Sequence, residues 1–219
     1  MMESWRWFGP LDTITLPEIM QTGASGIVTA LHDIPYGEVW PEQAIAARSA
    51  EIAATGRLQW VVVESLPVDE RIKRGEGDLS RLFANYRQSM ANLAACGIRT
   101  ICYNFMPLLD WTRTRLDAPV AGGGTALRFD QTEMAVFEVF MLGREAAATA
   151  YSSDIVTTAF TRFNAMTAEE RDRLLASIMA GLPGAYDRYS LDGLGDALEL
   201  YEGMDHAALR TNYHRFLTE

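Results

Sequence analysis

The chain is poor in the residues that staple or metallate proteins. Its 219 residues include two cysteines, Cys96 and Cys102, and three histidines, His32, His206 and His214. Two thiols this close make no disulfide framework, so the chain reads as a reduced, cytoplasmic protein. No His, Cys and carboxylate cluster falls at metal-ligand spacing, so no metal-ligating residue is assigned. Positive charge is scarce too: 19 Lys and Arg against 29 Asp and Glu leave a net charge of −10. That excludes nucleic acid and anionic membrane surfaces as partners, but not an anionic small molecule held by a local arginine. No stretch approaches the ~20 apolar residues of a membrane helix, and "MMESWRWFGP" lacks the basic and apolar regions of a signal peptide. The glycines at 122–124 have neither the strand-to-helix context nor the lysine of a phosphate loop, and no G-x-S-x-G elbow occurs.

What is present is an ordinary globular composition, 48% apolar and 22% charged, long enough for one domain with a real core. Four segments share one grammar: "SWRWFGP", "GIVTALHDIP", "LQWVVVESLP" and "RTICYNFMP". Each is rich in β-branched and aromatic residues, which suit a pleated sheet, and each stops at a proline, which cannot donate to a sheet ladder. The continuous apolar run in "WVVVES" suggests a strand buried on both faces. Between them lie helical patterns: "LPEIMQTG"; "PEQAIAARSAEIAATG", with Ile45 and Ile52 on one face; and "DLSRLFANYRQSMANLAACG", with Leu82, Tyr86, Met90 and Leu93 at helical spacing and Gly97 as its cap. The order β-α-β-α-β-α-β specifies a parallel α/β sheet with right-handed crossovers.

After the fourth strand the rhythm changes. "APVAGGGTALRFD" reads as a hairpin or surface loop, and the stretch from about Thr132 to Gly203 as irregular and helical. "MTAEERDRLLASIMAGLPG" starts at a Thr167–Glu170 capping box and stops at Gly181 and Pro183. "DHAALRTNYHRFLTE" is an amphipathic helix capped by Asp205, with Leu209, Tyr213, Phe216 and Leu217 on one face.

In parallel α/β folds ligands gather at the carboxyl ends of strands, and there the sequence places its polar groups. The first strand ends at Arg6 and Trp7, the second at His32 and Asp33, the third at Glu64. The fourth ends at Tyr103 and Asn104 and runs on to Asp110, Trp111, Thr112 and Arg113. Each candidate has a structural alternative. His32 equally satisfies a loop carbonyl; Glu64, costly to bury alone, equally forms a structural ion pair. Tyr103 and Asn104 equally serve backbone at a rim, and Trp111 equally covers apolar surface. Arg113 has the fork that grips a carboxylate bidentately, against the alternative of a solvated arginine.

The segments "WRWFGP", "GIVTALHDIPYGEVWP", "VVESLPV" and "GIRTICYNFMPLLDWTRT", with "LRFDQTEMAVFEVF" and "IMAGLPGA" after them, resemble the mannonate dehydratase family, and the resemblance runs over essentially the whole chain. It implies a TIM-barrel-like (xylose-isomerase-like) fold, present here as a partial barrel of about four parallel βα units. Residues 1–219 then form one domain, with 106–203 a loop and helical insertion and 204–219 the start of the fourth crossover helix. It implies loss of water from D-mannonate to give 2-keto-3-deoxy-D-gluconate, aided by Mn2+ or Fe2+ that polarises the substrate carboxylate. The family's metal ligands and its proton-transferring His and Tyr match nothing here, so no catalytic residue is assigned and the isolated chain is expected to be inactive. Arg6, Trp7, His32, Glu64, Tyr103, Asn104, Trp111 and Arg113 are carried over as substrate-side lining. Alternatives are a half-barrel assembly module completed by a complementary chain or a second copy, and a related sugar or sugar-acid isomerase.

Overall fold

The computed structural model describes residues 1–109, 111–180 and 190–219; Asp110 and the helix stop expected at Gly181 and Pro183 lie outside them. The chain divides into two compact units, one of residues 1–107 and 203–219, the other of residues 108–202.

The first unit holds four strands, β1 (Ser4–Arg6), β2 (Gly26–Thr29), β3 (Gln59–Glu64) and β4 (Thr100–Cys102), paired in parallel in the order β1-β2-β3-β4. This is the α/β arrangement that the alternating pattern specifies. Arg6 sits opposite Val28, Val28 opposite Val62, and Glu64 opposite Cys102, so the ends of β1, β3 and β4 align along one edge. Gly26 permits the close approach of the first three strands: a Cβ there would lie 2.8 Å from Val61 Cγ2 and 3.1 Å from Ser4 Cβ. Val61 and Val62 are half-buried while Val63 is fully covered. The run that looks two-sided in sequence is thus covered completely only where helices pack.

The helices of this unit are α1 (Leu16–Gln21), α2 (Glu42–Ala53), α3 (Glu70–Arg74), α4 (Ser80–Ala95) and, later in the chain, a helix over His206–Thr218. Ile27 and Val63 of the sheet pack with Ile45 and Ile52 of α2 and Leu93 of α4, all at 0% exposure; such burial is worth about 1.5–3 kcal/mol per side chain. Helix α4 differs from its apolar reading. Met90 is exposed, while Ser89 and Asn92 are buried. The Trp40 N–H donates to Ser89 Oγ (3.0 Å), and Asn92 Nδ2 donates to the Trp40 carbonyl (2.8 Å). Polar side chains are needed there because the loop before α2 has no ladder partner for its backbone. The helix over His206–Thr218 is capped as expected, Asp205 Oδ1 accepting from the Ala208 N–H at 2.8 Å. Its Phe216 and Tyr213 join Val68, Ile72, Leu79, Leu82 and Phe83 in a second cluster, whereas Leu217 is exposed.

The second unit opens with the antiparallel hairpin β5 (Arg115–Pro119) and β6 (Thr125–Arg128), where the Gly-rich passage forms the turn. Thr114 Oγ1 accepts from the Asp130 N–H and lies 3.2 Å from the Arg128 carbonyl, tying the hairpin to α5 (Gln131–Ala135). A π-helical turn (Val136–Met141) and a 3-10 segment (Glu145–Ala150) lead to α6 (Ser153–Ala165), α7 (Ala168–Met179) and α8 (Leu191–Glu199). The Thr167–Glu170 capping box forms. Arg162 bridges Glu133 and Glu170 at 3.0 and 3.2 Å, and Val136, Phe137, Ala159, Ile178 and Leu194 fill the core. The helix over His206–Thr218 follows these in the chain as α9.

Candidate functional site

The aligned strand ends bring Arg6 and Glu64 together. Arg6 Nη1 lies 2.9 Å from Glu64 Oε2, so the carboxylate that follows three valines is an ion-pair partner. The Arg6 guanidinium also lies over the Phe8 ring, 4.9 Å from its centroid. Burial pulls the Arg6 pKa down from its ordinary value, and Glu64 acts against that pull. On β4 the Cys102 thiol is pushed up by burial and by Glu64, so it stays protonated at neutral pH.

His32, three residues beyond β2, completes this group. Its pKa is lowered to about 4, first by burial and then by the cations Arg6 and Arg48, with Asp33 and Asp12 opposing. The ring is therefore neutral at physiological pH. Both its nitrogens are buried and make no hydrogen bond among the described residues; the same holds for Arg6 Nε and Thr29 Oγ1. Buried polar atoms without partners cost free energy, and four of them gather near one sheet edge. The group can grip an anion through Arg6 and can exchange hydrogen bonds with hydroxyls through a neutral imidazole.

The other candidates are distributed elsewhere. Trp7 is buried in the core beneath Arg48, 5.4 Å from that guanidinium. Tyr103 turns to the helix layer, where its hydroxyl is 2.8 Å from that of Tyr213, a bond that pushes its pKa up. Tyr103 and Asn104 line an open cleft of about 480 Å3 with Phe105, His206, Arg210 and Tyr213. Trp111, with φ of 44° and 62% exposure, and half-buried Arg113 belong to the second unit. That unit has a recess of about 630 Å3 of its own, which includes Arg115, Arg128, Arg162 and Arg173. Sequence reasoning missed Arg48, Arg210 and Tyr213, which lie on helices and not at strand ends.

No three His, Cys, Asp or Glu side chains among the described residues come together as a metal site, so these residues do not fit the divalent metal that the family resemblance implies. No helix among them is long and apolar enough to cross a membrane.

Parallel βα units with polar side chains at the carboxyl edge place the chain in the TIM-barrel-like class of α/β proteins. It is similar to the crystal structure of mannonate dehydratase from Streptococcus suis serotype2, with a TM-score of 0.57 and 33% identity, covering 84% of this chain and 50% of that one. The chain belongs to the D-mannonate dehydratase (UxuA) family, whose model matches residues 1–219. It is 52% identical over 217 residues to a mannonate dehydratase of Chromohalobacter salexigens, covering 99% of this chain and 55% of that protein. It is 50% identical over 219 residues to one of Marinomonas sp., covering 56% of that protein. The chain thus spans about half the length of the curated relatives it matches.

Proposed function

We propose that these residues supply the substrate-side wall of a mannonate dehydratase, an enzyme that removes water from D-mannonate to give 2-keto-3-deoxy-D-gluconate. The observation that carries this is the polar group at the carboxyl edge, where Arg6, held by Glu64, stands with an uncharged His32 whose two nitrogens have no partner among the described residues. A hexonate offers one carboxylate and a row of hydroxyls. Arg6 makes charge-assisted hydrogen bonds to the carboxylate, and neutral His32 donates to one hydroxyl and accepts from another. Tyr103 and Asn104, in the same unit, are further candidate contacts. In the reaction a base takes the proton from C2, the hydroxyl leaves C3 with a proton, and the resulting enol becomes the 2-keto acid. The Mn2+ or Fe2+ of such an enzyme requires ligands beyond the described residues. Cytoplasmic location fits a catabolic enzyme with two free thiols.

The test measures turnover of D-mannonate with Mn2+. The 219-residue chain is assayed alone and mixed with a polypeptide carrying the unmatched remainder of the Chromohalobacter salexigens relative. Activity is expected in the mixture alone, and R6M and H32Q in this chain each lower it at least tenfold. Turnover by the chain alone refutes the dependence on a complementary part. A mixture unaffected by both substitutions refutes the role of the polar group. The assembly reading draws on the position of β4 as an outer strand of the sheet, and an active mixture would support it as well.

A further inference from the structure

Helix α2 carries Arg48 within "AIAARSAEIA", a pattern that reads as an ordinary helix with a solvated side. The structure buries this arginine to 11% side-chain exposure. Its Nε lies 3.1 Å from Glu51 Oε2, and its Nη1 is 3.4 Å from the Ala30 carbonyl oxygen. The guanidinium spreads over the Trp7 ring. Gly9 makes room for it. With φ of +88°, Gly9 has a conformation that other residues adopt only under strain, and a Cβ there would stand 2.9 Å from Arg48 Nη1 and 3.6 Å from His32 Nδ1. One space left by a missing side chain is therefore shared by the guanidinium and the imidazole.

Charged groups surround His32 from each neighbouring element. Arg6 comes from β1, Asp12 from the loop after it, Asp33 is the next residue, and Arg48 comes from α2 with Glu51 behind it. Glu64 of β3 and Cys102 of β4 act through Arg6. An imidazolium here would add a third cation to Arg6 and Arg48.

We propose that Arg48 is a positioning residue for His32: lodged beneath Gly9 and over Trp7, it shares the Gly9 space with the ring and sets the ring's place there. The functional consequence rests on the reading of His32 as a sugar-acid contact, because the place of the ring decides which hydroxyls its donor and acceptor nitrogens can reach. The low pKa of His32, near 4, agrees with the geometry, with burial its larger cause and the cations the lesser.

The test is an NMR titration of the 219-residue chain labelled at histidine, with H32Q assigning the signal. The His32 midpoint is expected near 4 in the unsubstituted chain. R48M and R48Q raise it by about half to one pH unit, the effect of removing one nearby like charge. R48K, which keeps the charge, leaves it low, and the His206 and His214 signals on α9 do not respond. R48Q retains a donor for the Ala30 carbonyl and serves where R48M fails to fold. A midpoint unchanged in the neutral variants overturns the proposal, as does an equal rise in R48K and R48Q. Adding D-mannonate and Mn2+ to the same labelled chains mixed with the polypeptide carrying the unmatched remainder of the Chromohalobacter salexigens relative separates the two readings. A midpoint that depends on Arg48 with no ligand response at His32 upholds the positioning role and removes the sugar-acid contact; a ligand response with an Arg48-independent midpoint does the reverse.

Discussion

Acidification should expose the cost of charging His32, and the cost can be isolated with H32Q. An unfolded histidine titrates near 6.5, while His32 in the fold titrates near 4. Between those values the unfolded chain binds more protons than the native one, so stability rises with pH across the window. The penalty is absent above about 6.5 and fully developed below about 4. At about 1.36 kcal/mol per pH unit, the gap corresponds to about 3 kcal/mol. Solvent screening at a partly exposed ring reduces this to about 2 kcal/mol. Urea denaturation of both proteins at pH 7 and pH 4.5 gives the comparison. Carboxylates titrate in the same range, but they do so in both proteins and cancel in the difference. The unsubstituted chain should lose about 1.5 kcal/mol more than H32Q on going to pH 4.5. Equal losses would refute the buried, cation-flanked environment assigned to the ring.

Three further outcomes concern the framework beneath the site. N92A should destabilise the first unit by about 1–3 kcal/mol, because it leaves the Trp40 carbonyl without its donor, whereas M90Q at an exposed position should stay within about 0.5 kcal/mol; urea midpoints distinguish them. I45A, which empties a fully buried site between α2 and the sheet, should cost about 2–5 kcal/mol by the same measurement. T167A removes the cap of α7 and should cost about 1 kcal/mol, read as increased amide exchange confined to the second unit.

The four parallel strands were legible because β-branched runs and terminal prolines mark each one locally. The caps at Thr167 and Asp205 were legible for the same reason: a cap is a contact between residues three apart. Helix α4 was misread in part because apolar spacing ranks Met90 above Ser89 and Asn92. What decides which side of that helix is buried is the unpaired backbone at Trp40, 49 and 52 residues away in sequence. The site shows the same division. Arg6, His32 and Glu64 could each be singled out by position after a strand, yet their pairing is a property of register: Arg6 meets Glu64 because β1 and β3 both pair with β2. Arg48 lies one step further from view, since mid-helix arginines are ordinarily solvated and the pocket that receives this one is made by a glycine 39 positions earlier. Local chemistry thus nominates the residues of the polar group, and long-range geometry decides which of them act on each other. The charge state of His32 belongs to the second kind of information, which is why Arg48 is the substitution that tests it.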